Sequence, residues 1–364
     1  MSCSKGDSSE LDVQVQLGDN GLVTVIAQAD GALSYRFSFG QNAVFNNTTG
    51  RIEYNYPNKG TFTIGVWAFF DAQMSSYSYQ TRDVEITNAQ GNTVVQANDE
   101  YIDSSETATE YSGYSLVWND EFNYEGAPSQ YKWHLQYIPI FGGSWANDEE
   151  QHYTSRRENA YVSNGTLKIV AKRENYTYNG STKEYTSARL NSKFDMQYGR
   201  IDVRAKMPSS GGTWPAIWTL GTNVDELGNF HGNTAGSVGW PACGEIDIME
   251  QNGWNKTDVQ ANFHWADTQT SEYGTYGEEK SISTLNISDL TENFHLYSLV
   301  WTPSRLKAYV DGKILAQISN NSNIPFDNPH YLILNIAMGG NLGGGIPESF
   351  NEDTMEVDYV RFYQ

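Results

Sequence analysis

Short stretches of alternating apolar and polar residues, separated by turn residues, run through most of this 364-residue sequence. Residues 22–27, 61–69 and 259–265 follow this pattern, and no helical period persists for long. Alternation sends successive side chains to opposite faces, as in strands that bury one face. The sequence therefore predicts an all-β protein built from many short strands.

An acidic segment rich in Ser and Thr divides the strand pattern into two parts. Residues 10–97 contain about seven strands, the number typical of an immunoglobulin-like sandwich. The stretch 54–64 resembles the end of a PKD-like domain, and residues 98–112 are predicted to be the linker. Residues 113–364 are long enough for two large stacked antiparallel sheets, so we predict a second, larger β-sandwich.

Aromatic residues crowd one predicted strand of the N-terminal domain, where Trp67, Phe69 and Phe70 lie close together. Burial in the core is the more common place for such side chains. We therefore expect these three residues to be core residues and the domain to act as a spacer. Sugar binding by this domain is the alternative.

The chain carries 23 Lys and Arg residues against 44 Asp and Glu residues, which gives a net charge of −21. Such a surface repels phosphate, so nucleic acid is not expected as a partner and heavily anionic substrates are disfavoured. No run of eighteen apolar residues occurs, and no transmembrane helix is predicted. We expect a monomer.

The sequence has two cysteines, Cys3 and Cys243, too few for a disulfide framework. Cys3 is followed at once by Ser, Lys, Gly and Asp, which resembles the mature start of a bacterial lipoprotein. On this interpretation residues 1–9 are a flexible tether with a lipidated Cys3. The protein is then extracytoplasmic, at the bacterial outer-membrane surface. An unmodified cysteine in a flexible end is the alternative.

The stretch Gly-Glu-Ile-Asp-Ile-Met-Glu at 244–250 brings three acids together. In a strand, Glu245 and Asp247 share one face, and a β-bulge would return Glu250 to that face. Two carboxyl groups about 5–5.5 Å apart are what a retaining glycosidase needs: one attacks the sugar and the other protonates the leaving oxygen. Asp247 would raise the pKa of a neighbouring acid. Acids are common in this chain, so the triplet alone also fits a solvated acidic strand.

Aromatic and polar residues that suit sugar binding lie in nearby strands and loops. Trp214 and Trp218 share one face of a predicted strand, and sugar rings stack on such surfaces; two buried tryptophans are the alternative. His264 lies on the polar face of the strand at 259–265, which suggests a cleft wall or a structural histidine. The loop at 142–153 offers Trp and Asn to a sugar, or is a solvated acidic loop.

Six ordered segments together resemble glycoside hydrolase family 16, in its laminarinase and mixed-linkage β-glucanase branch. The resemblance covers roughly residues 115–364, and it rests on the segments 145–153, 185–189, 199–200, 214–218, 240–250 and 358–363. It implies a β-jelly-roll sandwich with a concave open cleft and endo-acting hydrolysis with retention. Asp148 and Glu150 stand where the family more often has Asn and an apolar residue, which affects fine contacts of the loop.

By residue, the resemblance implies that Glu245 is the nucleophile, Glu250 the general acid/base and Asp247 the carboxyl that orients and tunes them. Trp214 and Trp218 would stack glucosyl units on the non-reducing side. The resemblance assigns substrate contacts to five further residues: Asn147, Arg189, His264, Trp145 and Glu149.

Many members of this family bind a structural Ca²⁺ away from the cleft. The resemblance places such an ion at Glu121, Gly165 and Asp358. Oxygen ligands from separate segments suit a hard cation, and ordinary strand ends are the alternative. No cofactor is expected for catalysis.

Met249 is the extra residue of a bulged motif that is typical of the β-1,3-glucanase side of the family. We therefore predict a retaining endo-β-1,3(4)-glucanase that cleaves laminarin, cereal mixed-linkage glucan and lichenan. The acidic charge disfavours sulfated galactans, which would require Arg and Lys in the cleft. Three alternatives stay open: a non-catalytic carbohydrate-binding protein, a transglycosylase, and an enzyme that acts on a galactan such as agarose.

Overall fold

The computed structural model describes residues 11–18, 21–39, 44–56, 59–71, 76–87, 111, 113–231 and 237–364. The chain divides into two compact units, Met1–Val94 and Val95–Gln364. The predicted tether at 1–9, Cys3 and all of the predicted linker except Tyr111 lie outside the described residues, so lipidation, cell-surface location and the linker stay predictions. Among the described residues, no helix has the length and apolar character to cross a membrane.

The first unit is a sandwich of two small antiparallel sheets. Its described residues form seven strands: β1 (Asp12–Leu17), β2 (Leu22–Gln28), β3 (Ser34–Ser38), β4 (Val44–Asn47), β5 (Arg51–Asn55), β6 (Gly60–Phe69) and β7 (Tyr77–Ile86). The strand orders are β1-β2-β5 and β4-β3-β6-β7. Val25, Phe37 and Val66 belong to one core shared by both sheets. The strand number agrees with the sequence, whereas kinship with immunoglobulin-like or PKD-like domains stays a prediction.

Strand β6 corrects the prediction that Trp67, Phe69 and Phe70 are all core residues. Ile64 and Val66 point inward and are fully buried, so the alternation of the strand turns Trp67 to the outer face of the sheet. Phe69 is on the same outer face but is buried at 3% exposure, with Arg36 over its ring, and Phe70 packs partly against the core. The prediction was wrong for Trp67 because its neighbours Val66 and Ala68 occupy the core face of the strand, which turns Trp67 outward.

The second unit is a two-layer sandwich of the jelly-roll type, as the sequence predicted. Its strands are β8 (Leu116–Asp120), β9 (Trp133–Leu135), β10 (Gln151–Tyr153), β11 (Ala160–Ser163), β12 (Thr166–Tyr178), β13 (Ser181–Ser187), β14 (Arg189–Met196), β15 (Gly199–Lys206), β16 (Thr213–Gly221), β17 (Glu245–Glu250), β18 (Asp258–Ala266), β19 (Tyr273–Ser281), β20 (His295–Thr302), β21 (Arg305–Val310), β22 (Lys313–Ser319), β23 (His330–Met338) and β24 (Glu352–Tyr363). Two four-residue helices are α1 (Ile282–Leu285) and α2 (Gly340–Gly343).

The larger sheet of this unit has ten strands and the smaller has seven. The longest path in the ten-stranded sheet is β10-β13-β12-β24-β15-β20-β21-β22, and the seven-stranded sheet runs β19-β18-β17-β16-β23-β14-β9. Val203 and Leu299 from the first sheet and Ile217, Ile246 and Leu334 from the second lie in one buried core. Strands β16, β17 and β18 are therefore inner strands with one face in the core and one face free for chemistry.

Candidate active site

A β-bulge in β17 places three acids on one face. Trp218 pairs with Asp247 and the next residue back, Ile217, pairs with Met249, so the register skips Ile248. Ile248 and Met249 are both fully buried, which returns Glu250 to the face of Asp247. This confirms the bulge that the sequence predicted. Two consecutive apolar side chains fill the core at the point where strict alternation would have buried an acid.

The acids line a cavity of about 370 Å³ on the outer face of the seven-stranded sheet. Of the predicted site residues, the cavity wall contains Asn147, Glu149, Arg189, Trp214, Trp218, Glu245, Asp247 and Glu250. Trp145 and His264 are not part of this wall. Trp145 is buried with its ring against Tyr153, and His264 contacts the acids from β18.

Glu250 is held by three neutral donors from the neighbouring strands. Its Oε1 accepts a hydrogen bond from Trp214 Nε1 at 2.8 Å. Its Oε2 accepts from Asn262 Nδ2 at 2.8 Å and from Gln260 Nε2 at 3.1 Å. Both oxygens are therefore fixed, and the carboxyl group has one orientation. Trp214, which was predicted to stack against a sugar, lines the cavity, and its N–H donates to Glu250.

Glu245 and Asp247 have few donors and lie beside each other and His264. Trp240 Nε1 donates to Glu245 Oε2 at 3.1 Å. His264 Nε2 is 3.4 Å from Asp247 Oδ2 and 3.9 Å from Glu245 Oε1. On its other side, His264 Nδ1 is 2.8 Å from the Tyr273 hydroxyl. When Nδ1 accepts from that hydroxyl, the Nε2–H faces the two carboxyl groups.

Burial and mutual repulsion favour protonation within the triplet. Burial raises the pKa of Glu245 well above its usual range, and Asp247 and Glu250 raise it further, against opposing effects of His264 and Trp240. Burial also raises the pKa of Asp247 well above its usual range, with Glu250 as the second cause. Glu245 and Asp247 are thus two neighbouring buried carboxyl groups whose raised pKa values favour a proton on one of the pair.

A buried ion pair fixes the wall next to Trp218. Arg189 Nη2 lies 2.7 Å from Glu226 Oε1, and its guanidinium stacks over the Trp218 ring at 4.9 Å. Gln136 Nε2 also donates to Glu226 at 2.8 Å. The indole N–H of Trp218 donates to Asn335 Oδ1 at 2.7 Å. Trp218 is thus held from its face and from its edge.

A second polar network lies at the predicted loop entering β10. Glu149 Oε2 accepts from Gln151 Nε2 at 2.7 Å and from the Tyr153 hydroxyl at 2.9 Å. The Tyr153 hydroxyl in turn accepts from Asn335 Nδ2 at 3.0 Å. Burial raises the pKa of Glu149. Asn147 lies at the cavity with a left-handed backbone (φ 57°), and its carbonyl accepts from Asn341 N at 3.0 Å.

Sequence reasoning missed several residues that shape the site. Trp240 lines the cavity, is 54% exposed and contacts the acid at the start of β17. Its position five residues before Glu245, within a segment already singled out, was the available signal. Glu226 and Asn335 carried no such signal, because strand pairing and a long loop bring them to the site.

Two of the three residues predicted to hold calcium, Glu121 and Asp358, are paired with arginines, and a role of Gly165 stays a prediction. Both carboxyl oxygens of Glu121 accept from Arg361, each at 2.7 Å. The carboxylate of Asp358 pairs with Arg204 Nη1 at 2.6 Å. Each of the two acids already has a cationic partner, so their charges are not available as hard-cation ligands.

Comparison with known proteins gives a family match to the larger unit. Residues 147–361, more than half of the chain, match the model described as Glycosyl hydrolases family 16. A Beta-glucanase from Rhodothermus marinus is 38% identical over 266 residues, which cover 69% of this chain and 85% of that protein. Glucan endo-1,3-beta-glucosidase A1 from Niallia circulans is 35% identical over 280 residues. This match covers 70% of this chain and 38% of that protein.

Solved structures also include similar proteins. LamAcat from Zobellia galactanivorans superposes with a TM-score of 0.66 at 55% identity, covering 68% of this chain and 97% of that chain. A substituted LamA from the same organism, crystallised with laminaritriose and laminaritetraose, has the same TM-score and identity and covers 98% of that chain.

Proposed function

The chain belongs to glycosyl hydrolases family 16, and from this premise we propose that it is a retaining endo-β-1,3(4)-glucanase. The observation that carries the proposal is the bulged strand β17. It presents Glu245, Asp247 and Glu250 to one cavity that is also lined by aromatic side chains. Two carboxyl groups that face one cleft are the groups required for glycoside hydrolysis by double displacement.

In the first step, the Glu245 carboxylate attacks the anomeric carbon of a glucosyl unit while Glu250 gives its proton to the departing glycosidic oxygen. The C–O bond to the leaving sugar breaks, and an α-linked glycosyl-enzyme ester forms on Glu245. The contacts of Glu250 suit this role because its orientation is fixed by Trp214, Gln260 and Asn262.

In the second step, Glu250 acts as the base. It takes a proton from a water molecule, whose oxygen attacks the anomeric carbon and releases Glu245 as a carboxylate. The product has the β configuration of the substrate. The Gln260 amide can present either its NH₂ group or its oxygen to Glu250 Oε2, so one pocket serves both the ionised and the protonated acid.

Asp247 can hold a proton in place of the nucleophile Glu245. Its raised pKa favours a neutral carboxyl beside Glu245, and His264 adds a favourable contact to the charged form of Glu245. With Asp247 neutral, Glu245 can be the charged member of the pair and attack. Asp247 thus acts as a tuning and positioning residue.

The cavity charge supports a neutral polysaccharide as the substrate. The described wall residues include five carboxyl side chains and one guanidinium, that of Arg189, which is paired with Glu226. A sulfated galactan would meet repulsion without an available cation. The likeness to a structure that holds laminari-oligosaccharides supports β-1,3-linked glucan as the first substrate class.

Variants of the two acids test the mechanism through product stereochemistry. Glu245→Ala should lose hydrolysis of laminarin, and azide should restore cleavage of an aryl β-glucoside with an α-glucosyl azide as product, because azide attacks from the vacated side. Glu250→Ala should still form the glycosyl-enzyme from an activated aryl glycoside, and azide should then give the β-glucosyl azide.

The exposed acid Glu158 provides a matched control, since Glu158→Ala removes a carboxyl group that is not part of the cavity wall. Wild-type activity in Glu245→Ala, or the opposite azide anomers in the two variants, would contradict the assigned roles. Product analysis on laminarin, barley mixed-linkage glucan, lichenan and agarose tests the substrate. Release of oligosaccharides from agarose alone would overturn the glucan assignment.

A further inference from the structure

The outer face of the sheet formed by β3, β6 and β7 bears a set of aromatic side chains that the active site does not use. We call this surface the aromatic face; it consists of Trp67 and Phe69 of β6, Tyr77 and Tyr79 of β7, and Arg36 of β3. Phe69 is only 3% exposed beneath Arg36, so Trp67, Tyr77 and Tyr79 are the rings that a ligand can reach. Trp67 pairs with Tyr79 and Phe69 pairs with Tyr77 across the two strands. Tyr77 is 54% exposed and Tyr79 is 49% exposed.

A glycine lets two of these rings lie against the sheet. The centroids of Trp67 and Tyr79 are 4.4 Å apart. A Cβ atom built on Gly65 would come within 2.9 Å of Trp67 Cη2 and 3.3 Å of the Tyr79 hydroxyl. The two rings therefore cover the backbone of Gly65, which makes an aromatic platform that any side chain at this position would lift.

The chemistry of the face indicates what it binds. Flat aromatic surfaces stack against the C–H faces of sugar rings, and Tyr and Trp add a polar group at the edge. Thr63 and Asp83 continue the face with a hydrogen bond of 2.7 Å between their side chains. The surface is thus aromatic at one end and polar at the other, with no cationic cluster among the described residues of its strands that would suit an anionic ligand.

The size of the face argues against a protein partner. A buried aromatic side chain contributes 150–250 Å², so three partly exposed rings offer on the order of 200–300 Å². A stable protein interface requires about 800 Å² from each partner. A single polysaccharide chain fits the smaller area, and such a polymer is the substrate class proposed for the cleft of the other unit.

We propose that the aromatic face is a second glucan-binding site, distinct from the cleft, and that it takes an uncharged β-glucan chain. The choice of ligand rests on the proposed function. Two modules on one chain that hold one polymer raise the local concentration of substrate, which increases retention on an insoluble glucan without new contacts in the cleft. The N-terminal unit is then a binding module in addition to a spacer.

The test is retention of the full chain on insoluble β-1,3-glucan particles. The double variant Trp67→Ala/Tyr79→Ala is made in a Glu245→Gln background, so the particles are not consumed. Loss of two aromatic anchors should weaken retention about tenfold or more. Leu17→Ala, which removes a 56% exposed apolar side chain of β1, should leave retention unchanged, and so should Tyr79→Phe, which keeps the ring.

Unchanged retention of a double variant that keeps the wild-type unfolding temperature would overturn the proposal. The proposal would also be overturned if the wild type sedimented as a dimer and the double variant as a monomer, with equal retention of the two on the particles. That result would identify the face as a self-association surface. With Glu245 intact, the double variant should hydrolyse a soluble laminari-oligosaccharide at the wild-type rate. Failure of the wild type to hydrolyse any glucan would refute the proposed function, and the particle assay would still test the binding site.

Discussion

Exchanging Glu226 for glutamine should destabilise the larger unit, because the charge that balances a buried guanidinium is lost. Arg189 is 5% exposed, and its Nη2 lies 2.7 Å from Glu226. Glutamine keeps the size and one acceptor oxygen but leaves the cation uncompensated. Breaking a buried ion pair from one side costs about 3–5 kcal/mol. Because the Glu226 side chain is still 12% exposed, we expect a loss of free energy of unfolding at the lower end of this range, about 3 kcal/mol.

The double variant Glu226→Gln/Arg189→Met separates charge balance from simple loss of contacts. It removes both charges together, so it should be more stable than the sum of the two single effects by about 1.5 kcal/mol or more. The free energies come from urea unfolding followed by tryptophan fluorescence. Additivity of the single effects within about 0.5 kcal/mol would refute the reasoning.

The same variants carry a functional readout. The guanidinium stacks over Trp218 in the cavity wall, so an unbalanced Arg189 should shift that ring and lower kcat/KM on laminarin. We expect a fall of about tenfold in Glu226→Gln, equivalent to about 1.4 kcal/mol. An unchanged kcat/KM together with a lowered free energy of unfolding would show that the ion pair stabilises the fold but does not position Trp218 for substrate.

Two further predictions concern single contacts. Trp214→Phe keeps the ring but removes the N–H that donates to Glu250; kcat on laminarin should fall about tenfold with little change in unfolding temperature, and an unchanged kcat would contradict the positioning role. Burial lowers the pKa of His330 to about 3. The unfolded chain therefore takes up this proton at a higher pH than the folded chain, and the free energy of unfolding should fall as the pH drops from about 6.5 toward 3. Urea unfolding at pH 8 and pH 5 checks this, and His330→Gln should lose that share of the pH dependence.

The acids and the fold could be predicted because local patterns encode them. Alternation along the chain predicts the strand-rich architecture, and the position of Glu250 after the extra residue Met249 predicts the bulge. The contacts of these acids could not be predicted in the same way. Gln260 and Asn262 reach Glu250 through strand register, and Glu226 reaches Arg189 through a loop, so their roles depend on pairings that a linear pattern does not contain.

Trp67 shows the opposite failure, in which a local rule was applied too broadly. Aromatic side chains are buried more often than not, yet the period of a strand assigns each position to one face. The neighbours of Trp67 on both sides are core residues, and this alone requires Trp67 to face outward. The arginine partners of Glu121 and Asp358, two of the residues predicted to hold calcium, come from other strands and could not be read from the local sequence.

The two proposed catalytic acids lie on one strand, yet they have different surroundings, and this difference allows them different roles. Glu250 accepts three hydrogen bonds from β16 and β18, whereas Glu245 accepts one, from Trp240. A tightly held carboxyl suits proton transfer along a fixed direction, and a carboxyl with few donors stays more nucleophilic because its lone pairs are not engaged. The bulge is what produces this asymmetry. It returns Glu250 to the face of Asp247, where Trp214 of β16 and Gln260 and Asn262 of β18 donate to its carboxyl group, while Glu245 is the first residue of the strand.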